Sequence, residues 1–366
     1  MKMETAKDEE AGHRPALSRT DTPMKGVHLS CYKIESDGRL SVATVEDALA
    51  RQKIASESNT NEVEQSHHEQ EPSFWIDADC LDDSEDRKEL DHIIRQIHLN
   101  PFLRKHLGHR EQLKTTQVFT LNESAFLAMR VLPPPQAVDA RDVRYVAALC
   151  VHGLLLTVTT SPKGSDASTR AGRRWNQSIR TSIEEREMPE ASASGALVMW
   201  LLVHVQRLAA EAQKLRLESY DLDEKLDSNA NAVGIEELVA HKHEVNKVVA
   251  IAEEQMESLQ ALKEGDELSS GLDFTHMNGA MGIVLSHASS NVRAAVRLEK
   301  RVADLKSTYD SLQQDRINQR LEVLTILSAV FLPLTLMAGT FPSRWTVGMI
   351  LYSLGLTYFI MIPLAD

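Results

Sequence analysis

The chain has 366 residues, 42% of them hydrophobic and 25% charged, enough apolar material for one large soluble core plus a smaller module and too much for a disordered protein. A formal net charge of -13 argues against a nucleic-acid partner, which would need a basic face to displace counterions from phosphates. Cys31, Cys80 and Cys150 are widely spaced, odd in number and form no CxxC pair, so neither a disulfide framework nor a zinc ribbon is indicated.

In chain order, residues 1–25 carry early acids and no apolar run, and read as a disordered tail, neither a secretory signal nor an acid-poor transit peptide. Residues 26–160 read as an α/β domain, giving an α+β chain once the later helices are counted. Strands are expected over 27–35 (VHLSCYKIE) and 73–79 (SFWIDAD), with a short helix over 45–54 and a loop over ASESNTNEVEQSHHEQEP between them. Asp77, Asp79, Asp82 and Asp83 cluster where that second strand ends. Their carboxylates are hard oxygen ligands, so they are a candidate regulatory metal site; the plainer reading is a solvated turn and helix N-terminus. Leu90, Ile93, Ile94 and Ile97 then fall at helical spacing, and Asn100 caps a second short helix with Pro101 at its first position. Strand-like runs follow at 116–120, 125–132, 143–150 and 153–159.

Residues 161–194 are polar and rich in Gly, Pro and Ser, and read as a linker or insertion. Beyond them proline disappears and helical periodicity takes over. Antiparallel long helices are expected over 195–275, broken near SNANAVG at 228–234 and again near EGDELSSGLDF at 264–274. His241, His243 and Glu244 have the residue types for zinc, but His at i and i+2 face different sides of a helix. A stalk helix is expected over 276–322, where Leu298, Val302, Leu305, Tyr309 and Leu312 alternate steps of four and three, the seam of a coiled coil. No Ser/His/Asp set, glycine-rich phosphate loop or HExxH signature gives a case for an enzyme.

Charge then nearly vanishes: after Glu322 only Arg344 and Asp366 are ionised. The uncharged stretches on either side of Arg344 are each long enough, at about 1.5 Å per residue, to cross a hydrocarbon core roughly 30 Å thick. Transmembrane helices are therefore expected over 323–341 and 345–365, joined by a tight turn. Lys300, Arg301, Lys306, Arg316 and Arg320 precede the first span and only Arg344 lies in the turn, so both termini are expected on the cytoplasmic or matrix-equivalent side of a multi-pass membrane protein. Two isolated spans cannot enclose a polar path, so conduction requires several copies around an axis.

The segment RLEVLTILSAVFLPLTLMAG, after a coiled-coil stalk and before a second span, resembles the CorA family of divalent metal ion transporters. FWIDAD with the acidic helix and HLNPFLRKHL after it is similar to that family's N-terminal domain, and GLLLTVTTSPKG to its last strand. The resemblance implies a homopentamer in a lipid bilayer, no permanently bound cofactor, a first span that lines an ion channel, and magnesium (Mg2+) as the transported and regulatory divalent cation. Carried over position by position, it implies a pore lined by Asn318, Leu324, Ser328, Leu332, Thr335 and Gly339. The family's pore helix ends in a Gly-Met-Asn (GMN) signature and an acidic loop. Here Gly339 is followed by Thr340, Phe341, Pro342 and Ser343, and the HMNG at 276–279 stands at the other end of the stalk. Two further readings stay open: a zinc-preferring relative, and a non-conducting membrane-anchored coiled-coil subunit or scaffold.

Overall fold

A computed structural model describes residues 28–58, 73–81, 84–97, 99–107, 116–121, 124–132, 144–151, 153–161, 179–186, 188–228, 233–266, 277–340 and 348. The strands are β1 His28–Ile34, β2 Leu40–Val42, β3 Ser73–Leu81, β4 Gln117–Leu121, β5 Ser124–Val131, β6 Arg144–Val151 and β7 Leu154–Ser161. The helices are α1 Val45–Ser58, α2 Ser84–Gln96, α3 Pro101–Leu107, α4 Ala193–Ser228, α5 Ile235–Asp266 and α6 Asn278–Thr340. The chain divides into two compact units, Met1–Ala210 with Ala250–Arg293, and Glu211–Val249 with Ala294–Asp366.

The first unit is built on a seven-stranded sheet in the order β2-β1-β3-β7-β6-β5-β4, in which β3 and β7 run parallel and every other neighbouring pair runs antiparallel. Its central strands read as nearly continuous apolar runs because both faces are covered. Ala125, Leu127 and Met129 of β5 and Leu155 of β7 turn to one face, where α4 contributes Leu197 and Trp200, α5 Leu259 and Leu262, and α6 Met281 and Val284. Phe126 and Ala128 of β5 and Leu154, Leu156 and Val158 of β7 turn to the other face, against Ala48 of α1, Ile93, Ile94 and Ile97, and Leu103 of α3. Each large apolar side chain taken out of water in this way contributes about 1.5–3 kcal/mol. Asn100 begins α3 as expected, its Oδ1 accepting from the Phe102 N–H at 2.9 Å.

Two features were not legible. Strand β2 has three residues and follows a turn at Gly38, whose φ of 78° suits glycine, so it carries no pattern long enough to read. Within the stretch read as a linker, residues 179–184 are helical, and Ile179 and Ile183 are buried in the core under α4. Two apolar residues four apart among many polar ones are a weak signal. Helix α4 starts at Ser192, whose Oγ accepts from the Gly195 N–H at 3.0 Å. A Cβ at Gly195 would lie 2.1 Å from the Glu190 carbonyl oxygen, so this entry into the helix requires glycine.

The second unit holds the facing ends of α4 and α5 and the long C-terminal part of α6. Leu222, Leu226, Val233, Leu238 and Leu305 form its core, with Tyr309 packed against them. Leu298, Val302 and Leu305 of the expected seam are buried. Arg301 of α6 donates to Asp223 Oδ2 of α4 at 2.7 Å and stacks over the Tyr220 ring at 3.8 Å.

Candidate pore

Helix α6 runs without interruption from Asn278 to Thr340, through the stalk and into the apolar stretch expected to span a membrane. Among the described residues two helices are long and apolar enough to cross a bilayer, and burial separates them. The apolar window of α4 is 67% buried and belongs to the core of the sheet unit. The window of α6 is 0% buried, with Leu324 60%, Leu332 71% and Leu336 68% exposed. An apolar helix surface left this exposed among the described residues calls for cover by lipid, by the rest of the chain or by other copies.

Five of the six residues expected to line a pore share one stripe of α6. At about 100° per residue, Leu324, Ser328, Leu332, Thr335 and Gly339 lie within an arc of about 80°. Asn318 falls about 40° beyond the Leu332 edge of that arc. Its Oδ1 accepts from Gln314 Nε2 at 3.2 Å, a partner one turn earlier that sequence reading missed although the two amides stand at i and i+4. A different stripe, Val323, Leu327, Phe331 and Leu334, is half-buried.

The hydroxyls on the stripe are turned inward. Ser328 Oγ donates to the Leu324 carbonyl at 2.8 Å, and Thr335 Oγ1 to the carbonyls of Phe331 and Leu332, both at 2.9 Å. With their protons on the helix backbone, these oxygens present lone pairs outward, the polarity that suits a hydrated cation. Pro333, inside the helix, withholds the N–H that would reach the Ala329 carbonyl, a gap tolerated in a membrane helix with neighbours to resatisfy it.

Of the acidic cluster, only Asp77 is described to its side chain; that of Asp79, and Asp82 and Asp83 altogether, lie outside the described residues. Asp77 Oδ1 accepts from Thr157 Oγ1 at 2.7 Å, and Thr157 Oγ1 in turn accepts from Trp75 Nε1 at 2.9 Å. This relay satisfies a buried indole N–H between β3 and β7. Among the described residues no group of three or more His, Cys, Asp or Glu side chains is placed to hold a metal ion. His241 is buried, with Nε2 2.7 Å from Ser219 Oγ and Nδ1 3.7 Å from Glu218 Oε2, whereas His243 is exposed, so the two do not converge. Burial depresses the His241 pKa, against the opposing pull of Glu218 and Glu237.

Residues 73–342 match the sequence profile of the CorA-like Mg2+ transporter family. The chain belongs to the CorA-like family. That family is one of metal-ion transporters, and the exposed apolar stretch of α6 is a candidate membrane span. A search of curated proteins finds no match. Among solved structures, full-length CmaX is similar with a TM-score of 0.65 at 13% identity, over 93% of this chain and 98% of that one. The ZntB cytoplasmic domain of Vibrio parahaemolyticus follows with a TM-score of 0.55 at 12% identity, over 80% and 100% of the two chains. The CorA magnesium transporter of Methanocaldococcus jannaschii gives 0.53 at 16%, over 82% and 94%. At these identities the likeness is one of fold. The expected second span, 345–365, lies outside the described residues save Gly348.

Proposed function

We propose that the chain is one subunit of a homo-oligomeric channel, by family resemblance a pentamer, through which hydrated magnesium moves down its electrochemical gradient. The observation that carries this reading is the unburied stripe of α6, which alternates apolar side chains with hydroxyls whose lone pairs face outward. With several copies around an axis, Ser328 and Thr335 become rings of neutral oxygens. Magnesium sheds its water reluctantly, so such rings engage it through its hydration shell, and no carboxylate is needed to strip it. Rings of Leu324 and Leu332 narrow the same path and close it by expelling water when they draw together. Cytoplasmic magnesium is the proposed regulatory ion, acting on the soluble units and through the length of α6 on those rings.

A second reading is favoured by one observation. Thr340, Phe341, Pro342 and Ser343 stand where the family's Gly-Met-Asn signature is expected, which fits a subunit that prefers another divalent ion such as zinc or does not conduct. Expression of the full chain in a host lacking its own magnesium uptake separates these. Rescue of growth at limiting magnesium supports the magnesium channel. Sensitisation to external zinc without rescue supports the zinc reading, and membrane assembly with neither supports a scaffold.

A further inference from the structure

We propose that neighbouring copies of this chain meet on the soluble side of the span through opposite charges on the two flanks of α6. The inference rests on the homo-oligomeric reading above. Measured from the middle of the pore stripe at about 100° per residue, Arg320 and Arg316 stand about 80° and 120° to one side. Glu322 and Asp315 stand about 120° and 140° to the other. Seen from the axis, then, each helix is basic on one flank and acidic on the other over its last two turns before the membrane.

Asp315, Arg320 and Glu322 are exposed, and Arg316 is half-buried. The pairing that usually satisfies charges on a helix surface is closed to three of them. Three and four positions away, Asp315 meets Ser311, Leu312, Asn318 and Gln319; Arg320 meets Arg316, Ile317, Val323 and Leu324; and Glu322 meets Asn318, Gln319, Thr325 and Ile326. None of these is an opposite charge. The distribution also discriminates between modes of assembly. A two-fold pair whose helices touch through a single flank sets acid on acid or base on base. In a head-to-tail ring one flank of every copy meets the other flank of the next, and every interface is complementary. Exposed pairs are individually weak, but a ring repeats the set at each interface, so one substitution acts on all of them together.

The test uses the full chain, carrying two different tags, in mild detergent at low ionic strength. One variant is Arg316→Glu with Arg320→Glu, which makes both flanks acidic; the other is Asp315→Arg with Glu322→Arg, which makes both basic. Each alone is expected to lose assembled species roughly ten-fold relative to the unaltered chain, from like charges at every interface. Co-expressed, the acidic-flanked and basic-flanked chains set opposite charges together at every interface but one of a five-membered ring, and mixed assemblies carrying both tags are expected to return. That recovery also shows that both variants fold. The proposal is overturned if either variant alone assembles like the unaltered chain, or if co-expression restores nothing. An unaltered chain that is itself monomeric sinks the homo-oligomeric reading instead, which keeps the two failures distinct.

Discussion

Replacing Thr157 with Val tests whether Asp77 serves the sheet rather than a metal. Thr157 is 1% exposed and its hydroxyl is the middle of the relay from Trp75 to Asp77. Valine matches its shape, so no cavity opens, but the indole N–H is left buried without an acceptor at a cost of about 1–3 kcal/mol. Asp77 also loses a donor, discounted because its carboxylate is only partly buried and water replaces part of the bond. The sum is about 2–4 kcal/mol. At about 2–4 °C per kcal/mol for a unit of this size, the transition of the sheet unit should fall by roughly 5–15 °C. Thr157→Ser keeps the hydroxyl and drops one methyl, about 1 kcal/mol, so its transition should fall only slightly. The assay is thermal unfolding of the purified full chain followed by tryptophan emission. Asp77→Asn, which still offers a carbonyl oxygen, should leave any magnesium-induced rise in the transition intact. Equal losses for the Val and Ser variants would refute the relay, and loss of the magnesium response in Asp77→Asn would return Asp77 to the list of metal ligands.

Gly195→Ala should destabilise the sheet unit by about 2 kcal/mol or more in the same melt, because its Cβ meets the Glu190 carbonyl oxygen and the start of α4 must shift. Burial, with Arg207 nearby, depresses the His204 pKa to about 3, so the unfolded chain takes up a proton below about pH 6.5 that the folded chain refuses. Stability should therefore be full above that pH and fall as pH drops, by about 2 kcal/mol at pH 5, and the difference between pH 8 and pH 5 should shrink in His204→Leu. Burial pushes the Cys31 and Cys150 thiols up to about 12. In a Cys80→Ser background neither should react with maleimide at pH 7.5 until the chain is unfolded; fast native labelling would contradict their burial.

The strands β5 to β7, the helix at Leu90–Ile97 and the stalk were legible because each rests on a long or periodic signal: the continuous apolar runs, the helical spacing, and the seam from Leu298 to Leu312. The stripe proposed to line a pore has a different origin. Its members follow from a resemblance at one segment, and the geometry of α6 places five of them on one face while setting Asn318 to its edge. What escaped reading depends on long-range pairing. Thr157 and Asp77 are 80 positions apart and meet because β3 and β7 run parallel, so the hydrogen bond that the candidate ligand Asp77 accepts from the Thr157 hydroxyl left no local trace in the sequence. Ile179 and Ile183 were lost in polar surroundings for the same reason, since the residues that bury them are supplied from elsewhere in the chain.

The central claim is that the stripe running from Leu324 to Gly339 faces water inside an assembly of this chain. Single cysteines placed at 324, 328, 332 and 335 in the Cys80→Ser background, reconstituted in vesicles loaded with a magnesium indicator, test it most directly. A membrane-impermeant thiol reagent should block magnesium flux at these four positions and leave it unchanged for cysteines at 326 and 330 on the opposite face. Block that ignores the stripe, or flux that no position can stop, would contradict the account.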